Sequence, residues 1–245
     1  MNIAAIVQAR MGSSRLPGKV LMDICGSTML ELVVRRTQQS KLIDKVIVAT
    51  TTSIADNVIM AECERLNVPF FLGDEQDVLE RYYRTAVAYG MDAVVRITSD
   101  CPLVDPRVTD KVIEAHLKSS ADYTCNGVEW GFPRGLDTEI FNFKTLERAY
   151  YETQMDYERE HVTPYISLHP EIFNLKSVEA TGKLKRPDLR FTVDTKEDLK
   201  LMREIFKQLY RDGQVFYTED VIDLLDRHPE LIAINAHVVQ KEFGK

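Results

Sequence analysis

The chain has 245 residues, of which 44% are hydrophobic and 28% charged, proportions that suit a globular protein with a sizeable core. Its 31 Lys and Arg residues against 38 Asp and Glu residues give a net charge of -7, which argues against general binding to nucleic acid or to an anionic membrane surface. The start of the chain lacks the basic flank of a signal peptide, and no apolar stretch reaches about 18 residues. We therefore expect a cytoplasmic protein with no membrane span, whose four cysteines, lacking a C-x-x-C pattern, stay reduced.

Residues 8–19, QARMGSSRLPGK, here called the basic loop, follow a short apolar run at 3–7. The run is continuous, as in a strand buried on both faces, and the loop is rich in turn-forming residues. Small residues let backbone N–H groups approach an oxygen-rich ligand, while Arg10, Arg15 and Lys19 can neutralise much of the charge of a triphosphate. The pattern predicts a phosphate-binding loop, and a basic surface loop without a ligand is the alternative.

Neither of the two best-known phosphate-binding motifs is present in the basic loop. A Walker A motif has four residues between its first Gly and its Gly-Lys pair, whereas five residues separate Gly12 from Gly18, and Val20 stands where Ser or Thr should follow the Lys. The dinucleotide fingerprint G-x-G-x-x-G is also absent, because Arg10 and Arg15 flank the single Gly of the turn.

Further along the chain, helical and strand patterns alternate as in an α/β protein with a mostly parallel sheet. This alternation breaks down over residues 121–185 and resumes near residue 189. The predicted helices are 28–39 with Ser27 as N-cap, 55–66, 77–88, 196–211 opened by a capping box of Thr195 and Asp198 and closed by Gly213, and 218–227; the predicted strands are 45–49, 68–72, 92–98 and 189–193.

Polar side chains follow several of these predicted strands. Ligands of open α/β sheets bind at the carboxyl ends of the strands. Thr50 and Thr51 are therefore candidates for a base or ribose contact, with a purely structural role as the alternative. Asp100 and Asp194 converge if strands 92–98 and 189–193 are parallel neighbours, and Mg²⁺ is typically held by one or two carboxylates together with phosphate oxygens.

Residues 121–185 are expected to form an inserted arm or lid within a single domain spanning 1–245. Trp130 and Phe132 suggest that this arm also joins two subunits of a homodimer. Its polar side chains could line a substrate pocket, although each one alone is more often a surface or structural residue. The candidate sugar-binding residues are Arg134, Asp137, Glu139 and His161.

Five motifs together carry a family resemblance: QARMGSSRLPGK, RITSDCPLVDP, PRGLDTEIF, EREHVTPYI and VDTKEDL, in this order. They resemble the cytidylyltransferase family that includes CMP-KDO synthetase, and most closely its spore-coat polysaccharide branch. The likeness covers nearly the whole chain. The run Ser99-Asp100-Cys101-Pro102 departs from the Gly-Asp-Glu-Pro-like run of the synthetase proper, and the arm matches the spore-coat branch alone, so the sugar stays open.

The resemblance implies a nucleotide-diphospho-sugar transferase-like (GT-A-like) fold and an Mg²⁺-dependent transfer of CMP from CTP to an acidic sugar, with release of pyrophosphate. Arg10, Lys19, Asp100 and Asp194 are then the candidate catalytic residues, and the last two match the magnesium ligands of the family. The candidate nucleotide-binding residues are Gln8, Ala9, Arg10, Gly12, Ser13, Arg15, Lys19, Thr50, Thr51, Asp74, Thr98 and Ser99.

Two other functions compete with this interpretation. A glycosyltransferase of the same fold would consume a nucleotide sugar, but such enzymes usually carry an Asp-x-Asp motif, which this sequence lacks. A catalytically silent nucleotide-binding scaffold is the second alternative. A scaffold has no physical need for the costly cluster of like charges at Asp100 and Asp194, so the enzyme is favoured.

Overall fold

The computed structural model describes residues 1–211 and 214–240 and contains nine strands and ten α-helices within these ranges. The strands are β1 (Ile3–Gln8), β2 (Asp23–Ile24), β3 (Ser27–Thr28), β4 (Lys45–Thr51), β5 (Phe70–Gly73), β6 (Ala93–Thr98), β7 (Tyr123–Cys125), β8 (Glu139–Asn142) and β9 (Leu175–Ser177). The helices are α1 (Met29–Thr37), α2 (Asn57–Leu66), α3 (Val78–Ala88), α4 (Pro106–Leu117), α5 (Phe143–Glu152), α6 (Asp156–His161), α7 (Pro164–Ser167), α8 (Lys196–Leu209), α9 (Thr218–Arg227) and α10 (Pro229–Ile232). Over the residues described, no helix is both long enough and apolar enough to cross a membrane.

Seven strands form one sheet in the order β5-β4-β1-β6-β8-β7-β9, while β2 and β3 make a separate ribbon. The strands β5, β4, β1 and β6 run parallel, β8 is antiparallel to both β6 and β7, and β9 is parallel to β7. The chain passes from β1 to β4 on one side, and β6 lies on the other. The order therefore reverses at β1, and the carboxyl end of β1 opens onto a crevice of the kind in which open α/β sheets bind ligands.

Apolar layers cover both faces of the sheet. Successive residues of β1 point to opposite faces, so its side chains contribute to both layers. Val7 packs with Val33 of α1 on one face, and Ile6 packs with Leu79 of α3 on the other. The five residues from Ile3 to Val7 are each at most 5% exposed. Burial on both faces thus explains the continuous apolar run that predicted this strand.

The predicted α/β fold with a mostly parallel sheet is confirmed, with small shifts at element ends. Helix α1 begins one residue later than predicted, because Thr28 rather than Ser27 accepts the capping hydrogen bond from Glu31 N (3.0 Å). The capping box of Thr195 and Asp198 at the start of α8 is present. The predicted end of that helix at Gly213 lies outside the described residues.

Residues 121–185, expected to be an inserted arm, instead extend the main sheet. They contain β7, β8 and β9, and β8 pairs directly with β6. Phe132 is 1% exposed and lies in the interior, and Trp130 is half-buried against the same apolar cluster, so neither of the two aromatic residues expected at a dimer contact is fully exposed. The exposed apolar side chains of this stretch include Tyr151, Met155 and Leu168.

Residues 189–193 do not form the predicted strand. The neighbours of β6 in the sheet are already β1 and β8, so no further strand can pair with it. The segment docks onto loops instead: Phe191 N donates to Arg134 O (2.7 Å) and Val193 N donates to Asp100 O (2.8 Å). Its alternating apolar residues are buried against α8 and α9, which produces a strand-like pattern without a strand.

Candidate active site

A cavity of about 320 Å³ opens at the carboxyl end of β1, beside the basic loop. Its position is the reversal point of the sheet, as expected for a ligand site of this fold class. Most of the predicted nucleotide-binding residues face it. Predicted site residues in the lining are Gln8, Ala9, Arg10, Gly12, Ser13, Arg15, Lys19, Thr98, Ser99, Asp100, His161 and Asp194, and further lining residues are Ser14, Val20, Val78, Arg81 and Glu160.

Hydrogen bonds fold the basic loop into a turn around Met11. Ser13 N and Gly18 N each donate to Met11 O at 3.0 Å, and Met11 N donates to Asp56 Oδ1 at 2.7 Å. Gly18 has a φ of 71°, a left-handed conformation that residues with a side chain rarely adopt. Gly18 thereby turns the chain so that Lys19, the next residue, faces the cavity.

Lys19 holds the two candidate metal ligands together. Its Nζ donates to Asp100 Oδ2, to Asp194 Oδ1 and to Val193 O, each at 2.8 Å, so all three ammonium protons can be bonded. Burial by itself would lower the pKa of Lys19, but attraction to the two carboxylates outweighs burial and raises the pKa above its ordinary value of 10.5. Lys19 is therefore a fixed positive charge in the cavity wall.

Asp194 is surrounded by three cations. Beside the Lys19 contact, its Oδ2 accepts from Arg15 Nη2 at 2.9 Å and from Arg190 Nη2 at 2.8 Å. Burial would raise the pKa of Asp194, but Lys19, Arg15 and Arg190 hold it below its ordinary value. The carboxylate therefore stays ionised.

Arg190 is itself held by residues outside the predicted site. Its Nε donates to Asp198 Oδ1 (2.9 Å) and its Nη1 to Gln240 Oε1 (2.6 Å). Asn235 Nδ2 donates both to Arg190 O (3.1 Å) and to Asp198 Oδ1 (2.9 Å). The C-terminal segment, in which the sequence shows no chemical signal, thus supports Asp194 through Arg190. The spacing of four residues from Arg190 to Asp194 and from Asp194 to Asp198 is the one local sign of this network.

Asp100 and Asp194 converge as predicted, but not as the ends of neighbouring strands. The backbone bond from Val193 N to Asp100 O brings the two loops together, and Lys19 then bridges the side chains. Within the described residues, no cluster of three or more His, Cys, Asp or Glu side chains could hold a metal ion. A pair of carboxylates at a cavity wall nevertheless fits Mg²⁺, which commonly completes its octahedron with phosphate oxygens and water.

Three of the candidate nucleotide-binding residues lie outside the cavity lining. Strand β4 continues through Thr50 and Thr51, which are both at most 1% exposed, and Thr51 Oγ1 donates to Asp56. Asp74 is exposed, and its Oδ1 accepts from Gln76 N (2.7 Å) and Asp77 N (2.8 Å) at the start of α3. Thr51 therefore supports the basic loop through Asp56, which accepts from Met11 N, and Asp74 stabilises a turn, whereas the buried Thr50 hydroxyl has no hydrogen-bond partner among the described residues.

Of the four candidate sugar-binding residues, His161 lines the cavity. Glu139 is instead paired with Arg96 and accepts from Tyr123 Oη (2.5 Å) and Thr163 Oγ1 (2.8 Å). Arg134 N donates to Leu189 O (3.0 Å), and the carboxylate of the exposed Asp137 accepts from Gly135 N (2.8 Å).

The chain matches a family model described as cytidylyltransferase over residues 4–222. It is 40% identical over 243 residues to an uncharacterised protein of Methanocaldococcus jannaschii, a match that covers 99% of this chain and 98% of that protein. It is 33% identical over 234 residues to the spore coat polysaccharide biosynthesis protein SpsF of Bacillus subtilis, covering 94% of this chain and 96% of that protein.

Solved structures of cytidylyltransferases are also similar to this chain. A cytidylyltransferase from Leptospira borgpetersenii superposes with a TM-score of 0.89 at 29% identity and covers 99% of this chain and 100% of that chain. CMP:2-keto-3-deoxy-manno-octonic acid synthetase, complexed with CTP, has a TM-score of 0.64 at 18% identity over 85% of this chain and 99% of that chain, which is a likeness of fold. The predicted nucleotide-sugar transferase-like fold is thus confirmed, and with a family model that matches most of its length, this chain belongs to the cytidylyltransferase family.

Proposed function

We propose that this protein transfers CMP from CTP to a hydroxyl group of an acidic sugar and releases pyrophosphate. The observation that carries the proposal is the Lys19 ammonium group, held at 2.8 Å from both Asp100 and Asp194 in the wall of the cavity beside the basic loop. This arrangement puts a fixed cation and two candidate metal ligands at the place where a triphosphate would enter.

Fixed positive charge is the form of catalysis that this reaction needs. Nucleotidyl transfer builds negative charge on the leaving pyrophosphate, and preorganised cations stabilise that charge without any reorganisation at the moment of reaction. Lys19 is preorganised by its three hydrogen bonds. Arg10 and Arg15 line the same cavity and are positioned to bind the remaining phosphate oxygens.

Asp100 and Asp194 would hold an Mg²⁺ ion, which when bound supplies positive charge beside the phosphorus under attack. The protein's own part is to keep Asp194 ionised and to hold the two carboxylates close together. The arginine pair at Asp194 Oδ2 helps to keep this group ionised, and the docked segment at Val193 fixes the position of Asp100.

CTP and an acidic sugar are proposed from the relatives rather than from a contact in this structure. The synthetase that shares this fold makes a CMP derivative of a sugar acid and was solved in complex with CTP. The B. subtilis relative acts in spore coat polysaccharide biosynthesis. A role in making a surface or spore-coat polysaccharide follows by analogy.

We also propose that the protein is a homodimer whose contact includes a tyrosine cluster on α3 and α5. The rings of Tyr83 and Tyr150 stack at 4.3 Å between centroids, and Tyr151 packs edge-on against Tyr150 at 5.0 Å while remaining 69% exposed. Met155 and Val87 are also more than half exposed. Clustered exposed apolar side chains of this kind commonly mark an interface.

The proposed reaction is tested by incubating the protein with each of the four nucleoside triphosphates, Mg²⁺ and a panel of sugar acids while measuring pyrophosphate. We expect release that requires both CTP and a sugar acid and that stops when Mg²⁺ is chelated. A Lys19→Ala variant should slow this release, and Lys118→Ala, which changes an exposed lysine, is its control. Consumption of a nucleotide sugar without pyrophosphate would instead indicate a glycosyltransferase, and binding of CTP without turnover on any sugar would indicate a scaffold.

A further inference from the structure

A strained turn follows the two residues of α6 that line the cavity, Glu160 and His161. Val162 has a φ of 73° and a ψ of -56°, and Thr163 N donates to His161 O across it at 2.9 Å. These values describe a γ-turn with positive φ, which is rare and strained. The end of α6 is therefore held at the cavity by a backbone conformation that costs free energy.

Valine is poorly suited to this conformation, because a side chain branched at Cβ clashes with the backbone at positive φ. Within residues 1–211 and 214–240, the other non-glycine residues with positive φ are Cys25 and Asn67, and neither is branched at Cβ. Strain of this kind persists where the surrounding structure over-determines the backbone, and it collects at functional sites. The contacts on either side of Val162 should then show what holds the turn.

Both sides of the turn are anchored to the core of the fold. On the α6 side, Arg159 Nε donates to Asp77 Oδ2 at the start of α3 (2.6 Å). On the other side, Thr163 Oγ1 donates to Glu139 Oε1 at the start of β8 (2.8 Å). Val162 itself is 0% exposed and lies in the apolar layer between α3 and the sheet. The backbone between the two anchors therefore cannot relax while both hydrogen bonds are kept.

Glu139 is the more rigid of the two anchors. Its carboxylate is paired with Arg96 of β6, and it also accepts from Tyr123 Oη of β7 at 2.5 Å. Burial would raise the pKa of Glu139, but Arg96 and the hydroxyl groups that donate to Glu139 hold this pKa below its ordinary value of 4.5. Three strands of the sheet thus fix the ionised acceptor to which Thr163 is tethered.

We propose that Thr163 and Glu139 are positioning residues, which hold the turn at Val162 and so keep the end of α6 in the cavity wall for contact with the acceptor sugar. Without the tether, Val162 would relax to a helical φ of about -63°, and the peptide after His161 would leave its present direction. Neither positioning residue needs to touch the sugar. The inference rests on the proposed reaction, in which His161 is a candidate sugar-binding residue.

The first test separates sugar recognition from CTP binding. Thr163→Val replaces the tethering hydroxyl with a methyl group, and it should fold because Glu139 keeps Arg96 and Tyr123 as partners. With the sugar acid that supports pyrophosphate release, the KM for the sugar should rise roughly 10- to 100-fold, the effect of losing a hydrogen bond to a charged group. CTP affinity measured by calorimetry should stay unchanged, and Thr163→Ser, which keeps the hydroxyl, should restore the KM.

A matched control removes a similar hydrogen bond elsewhere on α6. Thr153 is also buried, and its hydroxyl donates to the carboxylate of Glu158. Thr153→Val should lower the melting temperature about as much as Thr163→Val does, but it should leave the KM for the sugar unchanged. An equal rise of the KM in both variants would show that lost stability, rather than the turn, is responsible.

A second readout needs neither turnover nor a sugar. Burial lowers the pKa of His161 below its ordinary value of 6.5, although the neighbouring Glu160 carboxylate acts in the opposite direction. In Thr163→Val the released imidazole should gain contact with water, so an NMR titration, with His161→Gln to assign the signal, should find the pKa closer to 6.5. Adding Val162→Gly should reverse this shift, because glycine adopts a positive φ without strain.

An unchanged His161 pKa in Thr163→Val would overturn the inference, and so would a shift that Val162→Gly fails to reverse. Equal weakening of CTP and sugar binding would also overturn it, since the tether would then be a general structural contact. If the pKa moves as expected but no sugar acid yields pyrophosphate, the tethered turn stands and the proposed reaction fails.

Discussion

Replacing Lys19 with alanine should slow turnover far more than it weakens CTP binding. In the free protein, Nζ is fixed at 2.8 Å from Asp100 Oδ2, Asp194 Oδ1 and Val193 O, so it needs no reorganisation to meet the substrate. A point charge held in this way interacts most strongly with the charge that develops on the leaving pyrophosphate. Lys19 contributes less to the binding of CTP in the ground state, because Arg10 and Arg15 also line the cavity.

The magnitude follows from the burial of the Lys19 side chain, which is 11% exposed and therefore little screened by solvent. Loss of a charge-assisted contact at such a site is worth about 2 to 4 kcal/mol, or roughly 30- to 1,000-fold in kcat. Asp194 would keep Arg15 and Arg190 as partners, so the variant should still fold.

The assay for Lys19→Ala combines steady-state pyrophosphate release with direct titration of CTP. Lys118→Ala, whose exposed side chain pairs with Glu114 at 2.9 Å, should leave both measurements unchanged. If turnover of Lys19→Ala stays near wild type while CTP affinity collapses, Lys19 is a binding residue and its catalytic assignment is wrong.

Three further predictions concern the metal site, an internal ion pair and the subunit contact. Asp100→Asn and Asp194→Asn should each remove most activity, and kinetics of the double variant should show non-additive losses, since multiplied losses would exclude a shared metal. Burial alone would raise the pKa of Glu139, but Arg96 and the hydroxyl groups that donate to Glu139 hold this pKa below its ordinary value of 4.5. The ionised Glu139 therefore stabilises the fold fully above pH 4.5, and this stabilisation is lost as the pH falls through the lowered pKa. On acidification below pH 4.5, the melting temperature of wild type should therefore fall more steeply than that of Glu139→Gln, and parallel curves would contradict the assignment. Light scattering at micromolar concentration should show a dimer that Tyr151→Asp weakens, and a monomeric wild type would exclude the proposed contact.

Most of the helices and strands could be predicted from local patterns of apolar residues in the sequence. The continuous apolar run of β1 and the helical spacing of α3 reflect burial against the sheet, and burial is what such patterns record. Residues 189–193 show the limit of this reasoning. Their alternation reports that Leu189, Phe191 and Val193 are buried, but it carries no information about which backbone groups they pair with.

The candidate site was predictable where one short segment carries several charges, and less so where distant segments meet. The basic loop is such a segment. Strand β4 is two residues longer than predicted. Thr50 and Thr51 therefore lie in a buried strand rather than in a loop, and they are outside the cavity lining. Arg190 has no recognisable motif, because its role depends on contacts with residues far along the chain, such as its Gln240 partner.

The residues that surround Asp194 come from distant parts of the chain, so the ribosome makes them at different times and the site is complete only late in synthesis. Lys19 meets Asp194 across 175 positions, and Asn235, which holds Arg190 and Asp198, emerges from the ribosome later still. At translation rates of about 5 to 20 residues per second, roughly ten seconds or more pass between the synthesis of Lys19 and that of Asp194. A nascent chain can therefore present cations that attract nucleotides well before it can act on one.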